Sequence, residues 1–343
     1  MRGLKWVLFL IFLYSVIAVD AQKKEGKFKD FFTDERILHI KITTDVKNLL
    51  AEKKSLKDVD AFISCTFPDS TVIGESIRLK QRGHFRRDNC YLSSLMLLFN
   101  SNPTNKLAPL KSVKMVGGCG KTGTEEQYLL KEFLAYKMYN LLTDFSFRVR
   151  LIHVTYIDSK NRVKSFSQCA FLMEDIDDVA KRNKHQQKKL ISYSPAGTHR
   201  YQTTLMCIFQ YMIGNTDWSI PNYHNIKLVV PRKDTTSIPL PIAYDFDMTG
   251  LVNPHYAGTS PLFDIEKVTD RLYRGFPVSF EEVQTVVDLF LGKEKEMISL
   301  INNFELLNRK NKSEMLFFLN GFYSEIKNKS TVKNLFITNA RKE

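Results

Sequence analysis

The sequence predicts an α+β protein of two lobes, the first rich in strands and the second rich in helices. In the first half, short segments alternate apolar and polar residues, as half-buried strands do. A single long segment there, 124–142, instead repeats apolar residues every three or four positions, which is typical of a helix. Beyond Pro277 the amphipathic helix pattern dominates. The character of the chain changes near Glu174, and no internal repeat is visible.

The N-terminus has the layout of a secretory signal. Arg2 and Lys5 precede the apolar run 6–19, and Val19-Asp20-Ala21 places small residues where a signal peptidase cleaves. The run is short for a membrane span. The alternative is an uncleaved membrane anchor. Whether the segment is a cleaved signal or an anchor, the rest of the chain is predicted to lie outside the cytosol, in the periplasm, at the cell surface or in the extracellular space. The predicted division is a signal peptide (1–21), a charged leader (22–35), a strand-rich N-lobe (36–173) and a helix-rich C-lobe (174–343).

Composition narrows the function classes. Hydrophobic residues make up 43% and charged residues 25% of the chain, which is typical of a globular protein. The net charge of +13 would suit nucleic acid, an anionic polymer or phosphorylated ligands. Basic clusters lie at 82–87 and 181–189, but no zinc-finger, aromatic-basic or repeat pattern accompanies them. Nucleic-acid binding is therefore disfavoured, and an anionic polymer or a phosphorylated ligand remains.

The five cysteines contain no C-x-x-C pair, which argues against a structural zinc site. Their odd number leaves at least one thiol free unless it pairs with another chain. An exported protein can form disulfides, so a Cys90–Cys119 bond is permitted, although the spacing does not establish it.

Each element is predicted from its local pattern. In the first half, the turn residues Pro68-Asp69-Ser70 and Ser159-Lys160-Asn161 separate pairs of strands. The helix 124–142 begins with Thr124 and two acids, a favourable N-terminus. The predicted strands are 37–42, 60–67, 71–82, 95–99, 112–116, 148–158 and 165–173.

The second half begins with a charged segment, 175–189. The nearly continuous apolar content of 200–213 predicts a buried helix. Two strands, 226–230 and 238–243, follow as a hairpin. The last predicted helices are 280–291, 293–303 and 312–326.

Two polar clusters flank this hairpin. Gly214-Asn215-Thr216-Asp217 ends the buried helix and is followed by Asn222 and Asn225, while Asp245 and Asp247 close the second strand. The hairpin brings these ends to one side of the sheet. Carboxylate and amide oxygens suit a hard cation such as Mg²⁺, which also takes substrate phosphates as ligands. The alternative is structural: Asp217 would cap a turn and Asp245 would be a hydrogen-bonded strand end.

A third cluster pairs Lys114, on the strand 112–116, with Glu132 on the following helix. Such an ion pair can hold a lysine in place to bind phosphate. Lys111 and Glu126 are competing choices for the two partners.

The order of these clusters matches the parts of protein-kinase phosphoryl transfer. The segments YMIGNTD (211–217), NIKL (225–228) and PIAYDFDMTG (241–250) resemble the spore-coat protein H (CotH) family of kinase-like proteins. FLMEDID (171–177) resembles that family's segment between the lobes. The similarity extends over about 75–260 and is clearest over 205–250. It implies a two-lobed, protein-kinase-like (atypical kinase) fold that binds ATP with Mg²⁺ or Mn²⁺ between its lobes.

Carried over by position, the resemblance assigns roles to residues of this chain. Asp217 would orient the acceptor hydroxyl, and Lys114, held by Glu132, would bind the phosphates. The segment 171–175, including Glu174, would line the nucleotide base. The metal ligands would be Asn225, Asp245 and Asp247; Asn222 has the literal D-x-x-x-x-N spacing but lies too early for the strand.

The chain departs from the kinase pattern in several places. It has no G-x-G-x-x-G loop, and Arg82, Arg86 and Arg87 occupy that region, where they could bind phosphate by charge. The residue after Phe246 is Asp and not Gly, and the interval from Asp217 to Asn225 is longer than usual.

Other enzyme classes fit less well. The stretch GGCGKT (117–122) resembles a P-loop, but the first glycine of that motif would fall at Met115. No G-x-S-x-G or H-E-x-x-H is present, and the histidines are scattered. The Asp245/Asp247 pair would also suit a glycosidase, with no further support.

The sequence therefore predicts phosphoryl transfer, dependent on Mg²⁺ or Mn²⁺, from ATP to a hydroxyl on a protein or cell-envelope component. The alternative is a catalytically inactive, pseudokinase-type binding or structural protein of the envelope, whose basic face meets an anionic polymer. The two differ in whether Asp217 and Asp245 are needed for turnover.

Overall fold

The computed structural model describes residues 31–51, 53, 57–100, 106–107, 110–120, 123–188 and 192–341. The predicted signal peptide and most of the predicted leader lie outside the described residues, as do Lys121 and Thr122 of the stretch that resembles a P-loop.

Seven strands form a closed barrel in the order β1-β2-β3-β4-β5-β7-β6. The strands are β1 (Leu38–Thr44), β2 (Val59–Thr66), β3 (Val72–Arg82), β4 (Ser94–Phe99), β5 (Ser112–Gly117), β6 (Val149–Asp158) and β7 (Phe166–Met173). Neighbouring strands are antiparallel except where β1 meets β6, and this parallel pair, from Leu38↔Ile152 to Thr44↔Asp158, closes the barrel.

The prediction of a two-lobed, protein-kinase-like fold is therefore wrong, because the strands close into a barrel instead of forming the strand-rich lobe of that fold. The individual strands were predicted nearly at their observed positions. The error lies in their arrangement. Closure joins residues more than a hundred positions apart in the sequence, and local alternation carries no information about such a pairing.

The rest of the described chain consists of helices and a small antiparallel sheet. Three further strands, β8 (His185–Lys188), β9 (Ile226–Pro231) and β10 (Leu240–Ala243), pair in the order β10-β9-β8. The α-helices are α1 (Val46–Ala51), α2 (His84–Asn89), α3 (Gly123–Leu142), α4 (Ile176–Arg182), α5 (Arg200–Met212), α6 (Phe280–Asn302), α7 (Arg309–Ile326) and α8 (Lys329–Lys333).

Two details differ from the sequence prediction. The two helices predicted over 280–303 are one helix, α6, which continues through Gly292 and begins with a capping box at Ser279. The charged segment 175–189 contains α4 and β8, and β8 adds a third strand to the predicted hairpin.

Two hydrophobic cores share the wall formed by β6 and β7. Ile152 and Leu172 point into the barrel and join its interior core. Leu151 and Phe171, one residue away on the same strands, face outward and join the core formed with the helices. Alternate residues of a strand point to opposite faces, so one pair of strands serves both cores. Helix α3 packs on this outer face and contacts both β6 and β7.

The disulfide that the sequence permitted is present between Cys90 and Cys119. It joins the end of α2 to the loop before α3, and the Tyr91 amide also donates to the Cys119 carbonyl over 2.7 Å. The other cysteines, Cys65, Cys169 and Cys207, are free thiols. Burial raises the pKa of Cys207 to about 12, so this thiol is unreactive at neutral pH.

No helix within the described ranges is both long enough and apolar enough to cross a membrane.

Candidate functional site

The segment 245–247 follows β10 and is fixed by its central residue. The Phe246 ring is fully buried and packs against Tyr136 of α3 and Phe209 of α5, at centroid distances of 4.6 and 5.4 Å. The Asp245 amide donates to the Tyr136 hydroxyl over 2.8 Å. The apolar anchor therefore holds Asp245 and Asp247, the two acids on either side of it in sequence, against α3.

Asp245 is exposed, and its carboxylate has no hydrogen-bond or ion-pair partner in the part of the chain that the structure describes. The surrounding protein partly desolvates the carboxylate, and Asp247 and Asp217 repel its charge. Both effects raise the pKa of Asp245 to about 6, although Arg86 and Arg82 act in the opposite direction. A cation bound here would relieve the repulsion.

Asp217 lies in a loop that follows α5 and is held by its neighbours. The chain turns at Gly214, whose φ of 65° favours glycine. The Asn215 side chain accepts from the Asp217 amide over 2.9 Å. Arg274, which is nearly buried, donates to the carbonyls of Thr216 and Trp218. These bonds fix the backbone on both sides of Asp217.

Asp217, His224 and Asn225 form a hydrogen-bonded group. His224 Nε2 lies 2.7 Å from Asp217 Oδ1, and Asn225 Nδ2 donates to Asp217 Oδ2 over 3.1 Å and to the Asp217 carbonyl over 2.8 Å. These contacts use the amide nitrogen of Asn225 and leave its amide oxygen for another partner. They also orient the Asp217 carboxylate, whose side chain is half exposed.

Left-handed backbone is concentrated here. Tyr223, Asn225 and Asp245 have φ values of 52°, 53° and 68°. Asp and Asn tolerate this conformation, whereas a tyrosine rarely adopts it. Strained backbone of this kind is often found at functional sites.

Glu132 pairs with Arg86, and not with Lys114 as the sequence suggested. Arg86 Nη2 lies 2.9 Å from Glu132 Oε2 and 3.1 Å from Asp247 Oδ2, and Nη1 donates to the Gly117 carbonyl. The competing acid, Glu126, accepts from the Cys169 amide over 2.6 Å. The reason for the difference is that α2 brings Arg86 against α3, which no local pattern predicts.

Arg86, Glu132 and Asp247 form an ion-paired group, the Arg86 cluster, that is almost wholly buried. The exposed fraction is 8% for Arg86 and 1% for Glu132. Burial opposes the charge of Arg86, but Asp247 and Glu132 outweigh it and raise the pKa of the guanidinium above its usual value. Burial also raises the pKa of Glu132, and this outweighs the attraction of Arg86. We infer that Arg86 stays charged under all ordinary conditions, since a free guanidinium already has a pKa above 12.

Three other cations gather near Asp245. The Lys114 ammonium lies over the rings of Phe147 and Tyr244, at 5.7 and 5.4 Å from their centroids. Lys227 lies over the same Tyr244 ring at 5.6 Å. Arg82, at the end of β3, acts electrostatically on both Lys114 and Asp245. Among the described residues, none of the three cations forms a salt bridge with a carboxylate.

Burial and the neighbouring cations both act on the charge of Lys114. Burial, followed by repulsion from Arg82, lowers the pKa of Lys114 to about 8. Like charges held together without a carboxylate salt bridge favour an anionic ligand, whose binding would remove the repulsion.

The other residues that the sequence predicted for the site contact different parts of the protein. Arg87 Nε is 3.9 Å from Asp88 Oδ1. The Glu174 carboxylate is almost buried and accepts from Arg182 Nε over 3.0 Å and from the Arg148 amide over 3.1 Å. Phe171, in the segment expected to line a nucleotide base, is fully buried in the core. Glu174 therefore links Arg182, at the end of α4, to Arg148, which precedes β6, and its carboxylate is bound within the protein.

Within the described residues, no group of three or more His, Cys, Asp or Glu side chains is arranged to hold a metal ion. Two of the three predicted ligands nevertheless suit a hard cation, because no residue that the structure describes donates to the Asp245 carboxylate or to the Asn225 amide oxygen. Mg²⁺ commonly uses one or two protein carboxylates and completes its shell with water and substrate phosphate. The third predicted ligand, Asp247, is bound to Arg86.

The sequence analysis did not identify two residues of the site, Lys227 and Arg274. Lys227 lies on β9, within the NIKL segment that the sequence singled out, and a basic residue this close to Asn225 is a signal that could have been used. Arg274 gave no such signal, because its role depends on a contact with a loop more than fifty residues earlier.

No protein-family model matches this chain, and a comparison with curated proteins found no match.

Proposed function

We propose that this protein is an exported phosphotransferase that moves a phosphoryl group from a metal–ATP complex to a hydroxyl of a protein or cell-envelope component. One observation carries the proposal: in the part of the chain that the structure describes, three cations that form no salt bridge with a carboxylate (Arg82, Lys114 and Lys227) gather near Asp245, a carboxylate with no salt bridge of its own. Asp217, which contacts His224, lies close enough to Asp245 to repel its charge. A metal–polyphosphate complex would satisfy both groups, since its phosphates are anionic and would face the cations, and its metal is cationic and would face the carboxylates. Export rests on the predicted signal at 1–21.

Each part of the site has a role in this reaction. The phosphates lie against Lys114, Lys227 and Arg82. A divalent cation, held by Asp245 and Asn225, would neutralise phosphate charge. Asp217, oriented by His224 and Asn225, accepts a hydrogen bond from the acceptor hydroxyl.

The transfer itself is an in-line displacement. The acceptor oxygen forms a bond to the terminal phosphorus, and the bond from that phosphorus to the bridging oxygen of the nucleoside diphosphate breaks. The hydroxyl proton passes to Asp217. Catalysis of this kind depends chiefly on positioning and on stabilising phosphate charge, which the fixed loops and the three cations would supply.

The second candidate is an inactive protein of the envelope that binds an anionic ligand. It is favoured by the Asp217 carboxylate, both of whose oxygens already have partners within the protein. Turnover separates the two candidates, because binding at Lys114 and Arg82 is expected in both.

A thermal-unfolding titration with ATP and Mg²⁺ or Mn²⁺ tests the proposal. A ligand present at a hundred times its Kd stabilises the protein by about 2.7 kcal/mol, so the midpoint is expected to rise. Asp245→Ala is expected to abolish the part of the shift that depends on metal, whereas Asp288→Ala, at an exposed position on α6, leaves it unchanged. A shift that is the same with and without metal would contradict the proposal.

The pKa of Lys114 predicts how binding depends on pH. As pH rises through about 8 the free ammonium loses its proton, so affinity for inorganic triphosphate is expected to fall by up to about tenfold per pH unit. Because the folded pKa lies below the unfolded value of 10.5, the stability of the free protein instead gains from rising pH between these values. Calorimetry between about pH 7 and pH 9.5 measures the loss of affinity. Lys114→Gln should bind weakly with no step at pH 8; a step that survives in this variant would assign it to another group.

A further inference from the structure

The two carboxylates that flank Phe246 differ in burial and in whether another residue binds them. Asp247 is 9% exposed, and its Oδ2 receives Arg86 Nη2 at 3.1 Å. Asp245 is exposed, and no described residue donates to its carboxylate. A metal pair of the kind that flanks a transferred phosphoryl group would need both carboxylates free.

Arg86 is a cation that the protein cannot remove. Its guanidinium also bonds Glu132 and the Gly117 carbonyl, so three groups from separate segments fix its position. An arginine does not lose its proton in proteins. Its charge therefore lies permanently against Asp247, and a metal ion at that carboxylate would have to approach a guanidinium at close range.

We propose that Arg86 acts as a built-in cation in the place of a second metal ion, so that the site takes one divalent cation, at Asp245 and Asn225. Asp247 is then the anchor of Arg86 and not a metal ligand. This inference rests on the proposed metal-dependent function and narrows it to a single Mg²⁺ or Mn²⁺. Arg86 is a positioning residue, because its hydrogen bonds go to Asp247, Glu132 and the Gly117 carbonyl, and among the described residues it makes none to Asp245 or Asn225.

Under this proposal the site keeps two of the three predicted metal ligands, because Asp247 is bound to Arg86. Asp245 and Asp247 alternate along the chain and look equivalent in the sequence. The contact with Arg86 makes them different, and it joins residues 161 positions apart.

The test is a titration of the purified protein with Mn²⁺ alone, in which electron paramagnetic resonance counts the free metal. One Mn²⁺ per chain is expected for the wild type. Asp247→Asn leaves the Arg86–Glu132 pair in place and is expected to bind Mn²⁺ within about threefold of wild type. Asp245→Asn is expected to weaken binding at least tenfold. Asp88→Asn, at an exposed carboxylate on α2, is the matched control and should bind as wild type.

The variant Arg86→Gln provides the complementary result. It leaves Asp247 and Glu132 without their cation, so a second Mn²⁺ is expected to bind. If this variant does not fold, the comparison of Asp247→Asn with Asp245→Asn still decides the proposal.

Three results would overturn it: two Mn²⁺ ions per wild-type chain, equal losses in Asp247→Asn and Asp245→Asn, or no Mn²⁺ bound at all. A single bound Mn²⁺ in a protein that forms no ADP from ATP would support the single-metal site and contradict the proposed phosphoryl transfer. The two proposals therefore fail separately.

Discussion

Asp217→Asn is expected to slow ADP formation from Mg²⁺–ATP by about 10²- to 10⁴-fold, the range that a positioned proton acceptor contributes. Asparagine keeps the shape of the side chain but cannot take the proton of the acceptor hydroxyl. The affinity for nucleotide should stay within about threefold of wild type, because Asp217 contacts His224 and Asn225 and the proposed phosphate cations lie around Tyr244. The decisive measurement is kcat beside the Kd for nucleotide.

The control for this variant is Asp288→Asn, which changes an exposed carboxylate on α6 and should leave both constants unchanged. Turnover that survives in Asp217→Asn would exclude Asp217 as the proton acceptor. A wild-type protein that binds nucleotide and forms no ADP would favour the inactive binding protein.

Arg86→Met is expected to lower the free energy of unfolding by about 3–5 kcal/mol, the usual effect of removing one partner from a buried ion pair. The loss arises because Glu132 and Asp247 remain in the interior with no cation between them. Domains are stable by only about 5–15 kcal/mol, so this single change removes a large part of the margin. Denaturant unfolding of the purified protein measures it.

Adding Glu132→Gln and Asp247→Asn to Arg86→Met should restore much of the lost stability, since the uncompensated charges are then gone. Arg78→Met is the control: its salt bridge to Asp58 is largely exposed, and such pairs contribute about 0–1 kcal/mol. A loss in Arg86→Met no larger than in Arg78→Met would show that the cluster does not hold the site together.

Much of the candidate site followed from local sequence. The carboxylates at 217, 245 and 247 were found because they follow an apolar helix or close an apolar strand, and Asn225 because it directly precedes the strand 226–230. The structure places Asp217, Asn225 and Asp245 in one electrostatic neighbourhood. Lys114 was chosen from its place within the strand 112–116, ahead of the helix that carries Glu132, and it acts electrostatically with Asp245. Their roles in catalysis and in metal or phosphate binding stay predictions.

The sequence by itself determined where most strands and helices lie, because alternation and helical periodicity are local consequences of burying one face of an element. It also placed the polar residues that end those elements. Only the tertiary structure decided that β1 pairs with β6 to close a barrel, and that Arg86 takes Glu132 and Asp247 as its partners. Both depend on contacts between segments far apart in the chain, and such contacts are chosen by the packing of the whole core and by the pairing of buried charges, neither of which leaves a periodic pattern in the sequence.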